Sequence, residues 1–210
     1  LNINYQKELD RILKKIEAGQ TVPSLLLHSC CAPCSSYVLK YLSGYFRITD
    51  FYYNPNITDR EEYKKRVLEM KRLLREMPLN NPVVFYEGTY EPEKFLEMSK
   101  GLENLPEGGE RCFRCYEMRL REAAEKARDG GFDYFTTTLS ISPLKNAEKL
   151  NEIGEDLGKE FGVSWLPSDF KKKDGFLQSI QLSKQYSLYR QNFCGCVFSK
   201  RNTCVTIAGK

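Results

Sequence analysis

The sequence predicts an α/β fold with a mainly parallel five-stranded sheet flanked by helices, and three features carry that expectation. Short apolar runs of strand length alternate with longer stretches of helical periodicity along most of the chain. The first run is apolar on consecutive residues rather than on every second one, as in a strand covered on both faces. With 210 residues, 41% hydrophobic and 29% charged, the chain can bury one substantial core.

The elements follow in order. Residues 1–19 are rich in Lys, Glu and Asp and read as an amphipathic helix. Residues 24–28, after Pro23, form the first apolar strand and run directly into a cysteine motif. Residues 35–42 look helical, and 47–53 read as a second strand ending at Asn54-Pro55-Asn56. Residues 59–77 make a long charged helix, with Tyr63, Val67, Met70, Leu73 and Leu74 at helical spacing. Residues 82–86 supply the third strand and 92–102 a helix, and a Gly/Pro-rich stretch over 105–110 leads to a second cysteine motif. Over 113–128, Met118, Leu120, Ala123, Ala124 and Ala127 give a helix its apolar side, and Gly130-Gly131 stops it. Residues 134–139 are the fourth strand, 146–161 a helix ended by Gly162, and 163–166 the fifth strand. Beyond about residue 169 the pattern loosens into basic helical segments. A single α/β domain is therefore expected, with its sheet core over about 1–169 and a basic C-terminal helical extension over about 170–210.

In such sheets the loops at the carboxyl ends of the strands build the ligand site. The loop after the first strand holds cysteines and no glycine, which argues against a plain nucleotide cradle. Asn54, Asn56, Thr138, Ser140, Ser168 and Asp169 follow other strands and are expected on the same rim.

No apolar run approaches the ~20 residues of a membrane helix, and no repeat or low-complexity tract is present. The net charge is only +4, but Lys171-Lys172-Lys173, Lys184, Arg190, Lys200 and Arg201 gather in the last fifth. That run reads either as a solvated face or as the footprint of an anionic polymer. The thirteen Tyr and twelve Phe supply rings suited to the core and to unstacked bases.

Seven of the eight cysteines fall into three motifs: Cys30-Cys31-Ala32-Pro33-Cys34, Cys112-Phe113-Arg114-Cys115 and Cys194-Gly195-Cys196. Metal centre, disulfide framework and buried apolar thiols compete as readings. A framework belongs mainly to small secreted domains, whereas this chain shows no expected signal peptide and suits a reducing, cytoplasmic setting. Cys112 and Cys115, three apart at a helix start, put both sulfurs on one side of the first turn, where free N–H groups and the helix dipole favour thiolates. Cys30 and Cys31 sit at a strand-to-helix turn able to aim both at one metal. Two thiolates from each loop make a four-cysteine site. Structural zinc matches that ligand count, but the apolar strands give the domain its own core and three motif cysteines stay unexplained, so an iron–sulfur centre is favoured. Cys194 and Cys196 could close a strained, easily reduced ring suited to electron relay, or join Cys34 around a second metal. Cys204 reads as a spectator. His28, the only histidine, reads first as a satisfied structural residue, and its solitude disfavours a zinc hydrolase.

These motifs resemble the cobalamin-independent epoxyqueuosine reductases of the QueH type. The resemblance rests on His28-Ser29-Cys30-Cys31-Ala32-Pro33-Cys34, on Tyr53-Asn54-Pro55-Asn56-Ile57, on Arg111-Cys112-Phe113-Arg114-Cys115-Tyr116 with Arg119, and on the run 189–199 from Tyr189-Arg190 through Cys194-Gly195-Cys196 to Ser199. One departure is visible: Thr58-Asp59 stands where a His-Pro is expected. The resemblance implies an adenine nucleotide α-hydrolase-like (HUP) fold and the last step of queuosine synthesis, a two-electron deoxygenation of epoxyqueuosine at the tRNA wobble position. It implies a 4Fe-4S cluster on Cys30, Cys31, Cys112 and Cys115, with Cys194 and Cys196 as the redox pair. Cys34 would join that pair around a second, mononuclear iron, and no cobalamin is expected. The implied partners are the tRNA anticodon stem-loop and an external electron donor, with no membrane. Tyr116, Tyr53 and His28 are candidate proton donors. The rival readings are an iron–sulfur-dependent tRNA sulfurtransferase, which lacks its usual Gly-rich ATP loop here, and a zinc-stabilised RNA-binding module.

Overall fold

The computed structural model describes residues 3–199. Five strands, β1 (Ser24–Ser29), β2 (Arg47–Tyr52), β3 (Val83–Glu87), β4 (Tyr134–Thr137) and β5 (Ser164–Trp165), form one sheet in the order β3-β2-β1-β4-β5. Every pairing is parallel, so the expected mainly parallel sheet is wholly parallel among the described residues. The helices are α1 (Tyr5–Ala18), α2 (Ala32–Leu42), α3 (Arg60–Glu76), α4 (Pro92–Met98), α5 (Glu110–Asp129), α6 (Ala147–Phe161) and α7 (Gly175–Gln185), with a 3-10 turn at Thr138–Ile141. None of them is long and apolar enough to cross a membrane.

Alternate side chains of the central strands feed two cores. Leu25 and Leu27 of β1 pack with Ile48 and Tyr52 of β2 against α1, α2 and α3, through Leu9, Leu39 and Met70. Leu26, Phe51 and Phe135 point the other way, onto Leu120 and Ala124 of α5 and Leu150 of α6. Each fully buried Leu contributes roughly 1.5–3 kcal/mol, so the domain has a core that needs no metal.

The observed ends differ from the sequence reading where local chemistry intervenes. Pro33 lies in the first turn of α2, where its missing N–H costs nothing, and the helix therefore begins three residues earlier than its periodicity suggests. The fourth strand stops at Thr137, whose hydroxyl accepts from Leu139 N and turns the chain into the 3-10 segment. The fourth helix ends at Met98, short of residue 102, because Gly101 adopts φ +76°. Asp59 caps α3 by accepting from the N–H groups of Glu61 and Glu62, a job that explains this residue without any histidine at position 58 or 59. Of the basic extension, α7 packs against α2, and its remaining residues run to Ser199. Lys200, Arg201 and Cys204 lie outside the described residues.

Strand order reverses at β1. From it the chain winds outward through β2 and β3 and then crosses to β4 and β5, which opens a crevice at the carboxyl ends of β1 and β4. The first cysteine motif leaves β1 at that crevice.

Candidate metal centre and active site

Cys30, Cys31 and Cys34 hold their sulfurs within 4.8 Å of one another. Cys31 is the N-cap of α2 in an extended conformation, so its sulfur and that of Cys34 meet at the first turn. Cys30 and Cys31 are 3.8 Å apart, and the Thr138 hydroxyl, from the loop after β4, lies 3.7 Å from the Cys30 sulfur. Cys31 is the most acidic of the three thiols. Hydrogen bonds from Cys30 and Cys34 hold Cys31 well below the usual thiol range, with help from the Cys34 N–H and the Arg66 guanidinium, whereas Cys34 and Cys30 are pushed up.

The second motif enters from α5, which begins at Glu110 rather than 113 and so contains both Cys112 and Cys115. Gly108 N donates to the Cys112 sulfur at 3.3 Å, a helix-entry contact of the kind the spacing anticipated. Cys115 corrects that expectation: it sits a turn deeper, and burial lifts its thiol to about 11, so in the metal-free protein it is neutral. Arg111 shapes this entry by donating to the carbonyls of Leu102, Glu103 and Leu105.

The third motif docks between the first two. Gly195 takes φ +110°, and a Cβ there would lie 2.8 Å from Ile57 Cγ1 and 3.3 Å from an Arg66 nitrogen. Thr58 N donates to Gly195 O at 3.4 Å, and Arg66 donates to the carbonyls of Cys194 and Phe193. Cys196 turns inward and packs with Cys115, Phe95 and Phe198. Cys194 faces the cavity, with Lys145 Nζ at 3.5 Å and Asn56 Nδ2 at 3.7 Å from its sulfur. A hydrogen bond from Cys196, together with Lys145, Arg119 and Arg66, holds Cys194 well below the thiol range, and Cys196 is correspondingly raised. All seven described cysteines are free thiols.

A cavity of about 490 Å³ opens over the first motif and Cys194, with Cys112, Cys115 and Cys196 set outside its lining. Cys30, Cys31, Cys34 and Cys194 line its floor together with Asn54, Arg66, Arg119 and Lys145, while Pro143, Leu144, Phe176 and Arg190 are among the residues around it. Three cations are thus buried beside the sulfurs. Arg66 is paired with Glu62 at 2.7 Å, and Lys145 approaches Glu107 at 3.8 Å. Arg119, 1% exposed, has no carboxylate within ion-pairing distance among the described residues. It donates to Asn54 Oδ1 and lies in the fields of Cys115, Cys30 and Cys194, one from each motif. A buried, unpaired guanidinium costs several kcal/mol unless an anion accompanies it. The soft thiol donors and this unmatched positive charge fit an anionic metal–thiolate group.

The other residues singled out from the sequence separate into site and support. Asn54 lines the cavity and donates to Ser29 O, and Asn56 and Thr138 reach sulfurs as above. Ser140 and Ser168 bond each other in the interior, and Asp169 pairs with Lys171, so these three hold the rim from behind. His28 is fully buried with both ring nitrogens engaged, by the Thr137 hydroxyl at 2.8 Å and Tyr53 O at 3.0 Å. Burial, then Arg119, push its pKa down to about 3, which makes it a structural neutral imidazole rather than a proton donor. Tyr53 directs its hydroxyl to Glu91 at 3.4 Å. The sequence reading missed Arg66, Lys145 and Asp50. Arg66 was findable: it lies three residues after Tyr63 and four before Met70, on the buried face of α3. Lys145, in a loop, carries no periodic signal.

A family profile described as epoxyqueuosine reductase QueH matches residues 25–202. Among curated proteins, the epoxyqueuosine reductase QueH of Staphylococcus epidermidis is 43% identical over 94% of this chain and 84% of its own length. That of Streptococcus pyogenes serotype M1 is 40% identical over 95% and 79%. The Thermotoga maritima protein of the same name is 36% identical over 84% and 90%.

Proposed function

The chain belongs to the epoxyqueuosine reductase QueH family, and from that membership we infer that its cysteine cavity is where epoxyqueuosine in tRNA is deoxygenated to queuosine. It is an oxidoreductase of tRNA processing. The observation that carries the assignment of the site is the convergence of three cysteine motifs on one buried, unmatched arginine at the floor of a cavity.

Cys30, Cys31, Cys112 and Cys115 would hold a 4Fe-4S cluster, and Cys34 would join Cys194 and Cys196 around a second iron where one is present. When bound, such a centre supplies electrons one at a time and an electrophile for oxygen. Removing the epoxide oxygen requires two electrons and two protons and leaves an alkene and water. Oxidation of the Cys194 thiolate and the Cys196 thiol to a disulfide releases two electrons and one proton; the second proton comes from solvent water, and an external two-electron donor with a proton then restores the thiolate–thiol pair. The low-pKa Cys194, held by Lys145 and Asn56 at the cavity, is the member of the pair poised to react. Lys145 remains charged, because the Cys194 thiolate more than offsets its burial, and it is placed to stabilise negative charge developing on a departing oxygen.

The polynucleotide would lie across the cavity mouth, with Arg190 toward its backbone and Phe176 beside the extruded base. Pairing of Lys171 with Asp169 and of Lys173 with Asp10 removes two lysines from the basic patch read in the sequence. A cytoplasmic setting belongs to this reading through its tRNA substrate.

Anaerobic purification followed by iron and zinc analysis is the test. About four irons or more with visible absorbance, lost in Cys112→Ala, supports the centre; stoichiometric zinc without iron overturns it in favour of a structural site. Nucleoside mass spectrometry of epoxyqueuosine-containing tRNA should show no queuosine with Cys194→Ala while most of the absorbance survives. Unchanged conversion would reject the redox role of Cys194.

A further inference from the structure

Four residues of α5, Cys112, Cys115, Tyr116 and Arg119, stand at i, i+3, i+4 and i+7 and therefore share one face of the helix. Two of them each carry one polar donor atom without a partner, although the Arg119 guanidinium also donates to Asn54 Oδ1 and hydrogen-bonds the Cys115 sulfur. Tyr116 is 2% exposed and its hydroxyl is buried without a hydrogen-bond partner; the same holds for Arg119 Nε. Buried donors left unpaired cost about 1–3 kcal/mol each and are rare in native proteins. Both lie among sulfurs: Tyr116 feels Cys112, Cys194 and Cys115, and Arg119 feels Cys115, Cys30 and Cys194. Lys145 Nζ stands 6.0 Å from the Tyr116 ring centroid, which keeps the phenol in a positive field.

We propose that Tyr116 and Arg119 are positioning residues that donate hydrogen bonds to the sulfur of the metal centre and thereby set its reduction potential. The inference rests on the reading of the cysteines as ligands of an iron–sulfur group, and it assigns a role to two residues that hold no metal themselves. Reduction adds negative charge to the centre, and O–H and N–H donors together with a buried cation stabilise that charge. Arg119 is fixed for this by Asn54, whose own amide is fixed by Ser29 O, the carbonyl just before Cys30. The same arrangement accounts for the orphaned donors and for the arginine without a carboxylate.

The experiment is a redox titration of the anaerobically reconstituted full chain, followed by electron paramagnetic resonance, on the parent protein and on Tyr116→Phe, Arg119→Lys and Arg119→Met. Tyr116→Phe should retain iron content and move the midpoint to more negative potential; Arg119→Met should move it further in that direction. Arg119→Lys keeps the charge without the planar fork and should fall between the parent and Arg119→Met. Proton double resonance after exchange into deuterated water should show an exchangeable proton coupled to the centre that is absent from Tyr116→Phe. If Arg119→Met fails to fold or to hold iron, Tyr116→Phe and Arg119→Lys carry the test. Midpoints equal to the parent's in loaded variants overturn the proposal while leaving the cluster intact. A parent protein that takes up no iron overturns the cluster and this role with it, a different result from unmoved midpoints.

Discussion

Lys145→Met probes the electrostatic design of the reactive cysteine most directly. The Lys145 ammonium lies 3.5 Å from the Cys194 sulfur and is itself nearly buried. At an effective dielectric near 20, unit charges at that separation interact by about 4–5 kcal/mol. The hydrogen bond from Cys196 and the charges of Arg119 and Arg66 still favour the thiolate in the variant, so the net loss is nearer the ~1.5–3 kcal/mol of one charge-assisted hydrogen bond. On the acid limb of an alkylation profile, where the thiolate fraction limits the rate, this is roughly 10- to 150-fold less thiolate. A more basic thiolate is also the stronger nucleophile, which returns about half of the loss on a logarithmic scale. Alkylation of Cys194 should therefore slow about 3- to 12-fold and its profile should move to higher pH. The assay is iodoacetamide labelling of metal-free protein against pH, with mass spectrometry of the peptide carrying Cys194 so that the other thiols do not contribute. A profile that superimposes on the parent's would refute the assignment of Lys145 as one of the groups that hold the thiolate.

Other outcomes follow from the same buried charges. Gly195→Ala should lower stability by about 1–2 kcal/mol in denaturant melts, because φ is +110° and the new Cβ meets Ile57, and it should reduce turnover by displacing Cys194; an unchanged melt would show that the loop yields freely. Asp50 is buried, accepts from Ser29 at 3.1 Å, and burial raises it to about 8 from an ordinary 3.8. Its contribution to stability is full below the unfolded value and is lost as pH rises toward 8, so the stability of Asp50→Asn relative to the parent should grow by about 1.4 kcal/mol per pH unit across that window. His28 runs the other way: its contribution is full above 6.5 and lost as pH falls toward 3, so His28→Gln should show a shallower acid decline in denaturant titrations of metal-free protein. Binding of tRNA should weaken steeply with salt, and a flat dependence measured by filter binding would contradict backbone contacts.

Much of the fold was legible because its signals are local. The consecutive apolar residues Leu25, Leu26 and Leu27 announce a strand buried on both sides, and Pro33 and Asn54-Pro55-Asn56 mark where strands stop. Helix ends were less legible, since Pro33 extends α2 backward through a tolerance that periodicity does not record. At the site, cysteine spacing revealed the ligand candidates, but their protonation did not follow from spacing. Cys115 shares a helix face with Cys112, yet burial rather than the helix dipole decides its proton. The cations were the hardest part to read. Arg66, Arg119 and Lys145 come from two helices and a loop, and only the tertiary fold brings them to one cavity.

That assembly has a consequence for how the chain folds around its centre. Of the three motifs, the first is fixed by β1 and α2 and the second by α5, both parts of the sheet domain's own cores. The third is held by long-range contacts alone: Arg66 and Thr58 on the Gly195 loop, Tyr189 on Glu62 and Glu69, and the small cluster of Cys196 with Cys115, Phe95 and Phe198. Docking brings the Cys194 thiolate to Lys145, Arg119 and Arg66, and an anionic metal centre would meet the same buried cations. The sheet domain can therefore form first and present a positively charged crevice, into which the Cys194–Cys196 segment and the metal settle as coupled events. Cys194 would gain its thiolate character only on docking beside Lys145, Arg119 and Arg66, so the reactive dithiol and its electron source would become competent together.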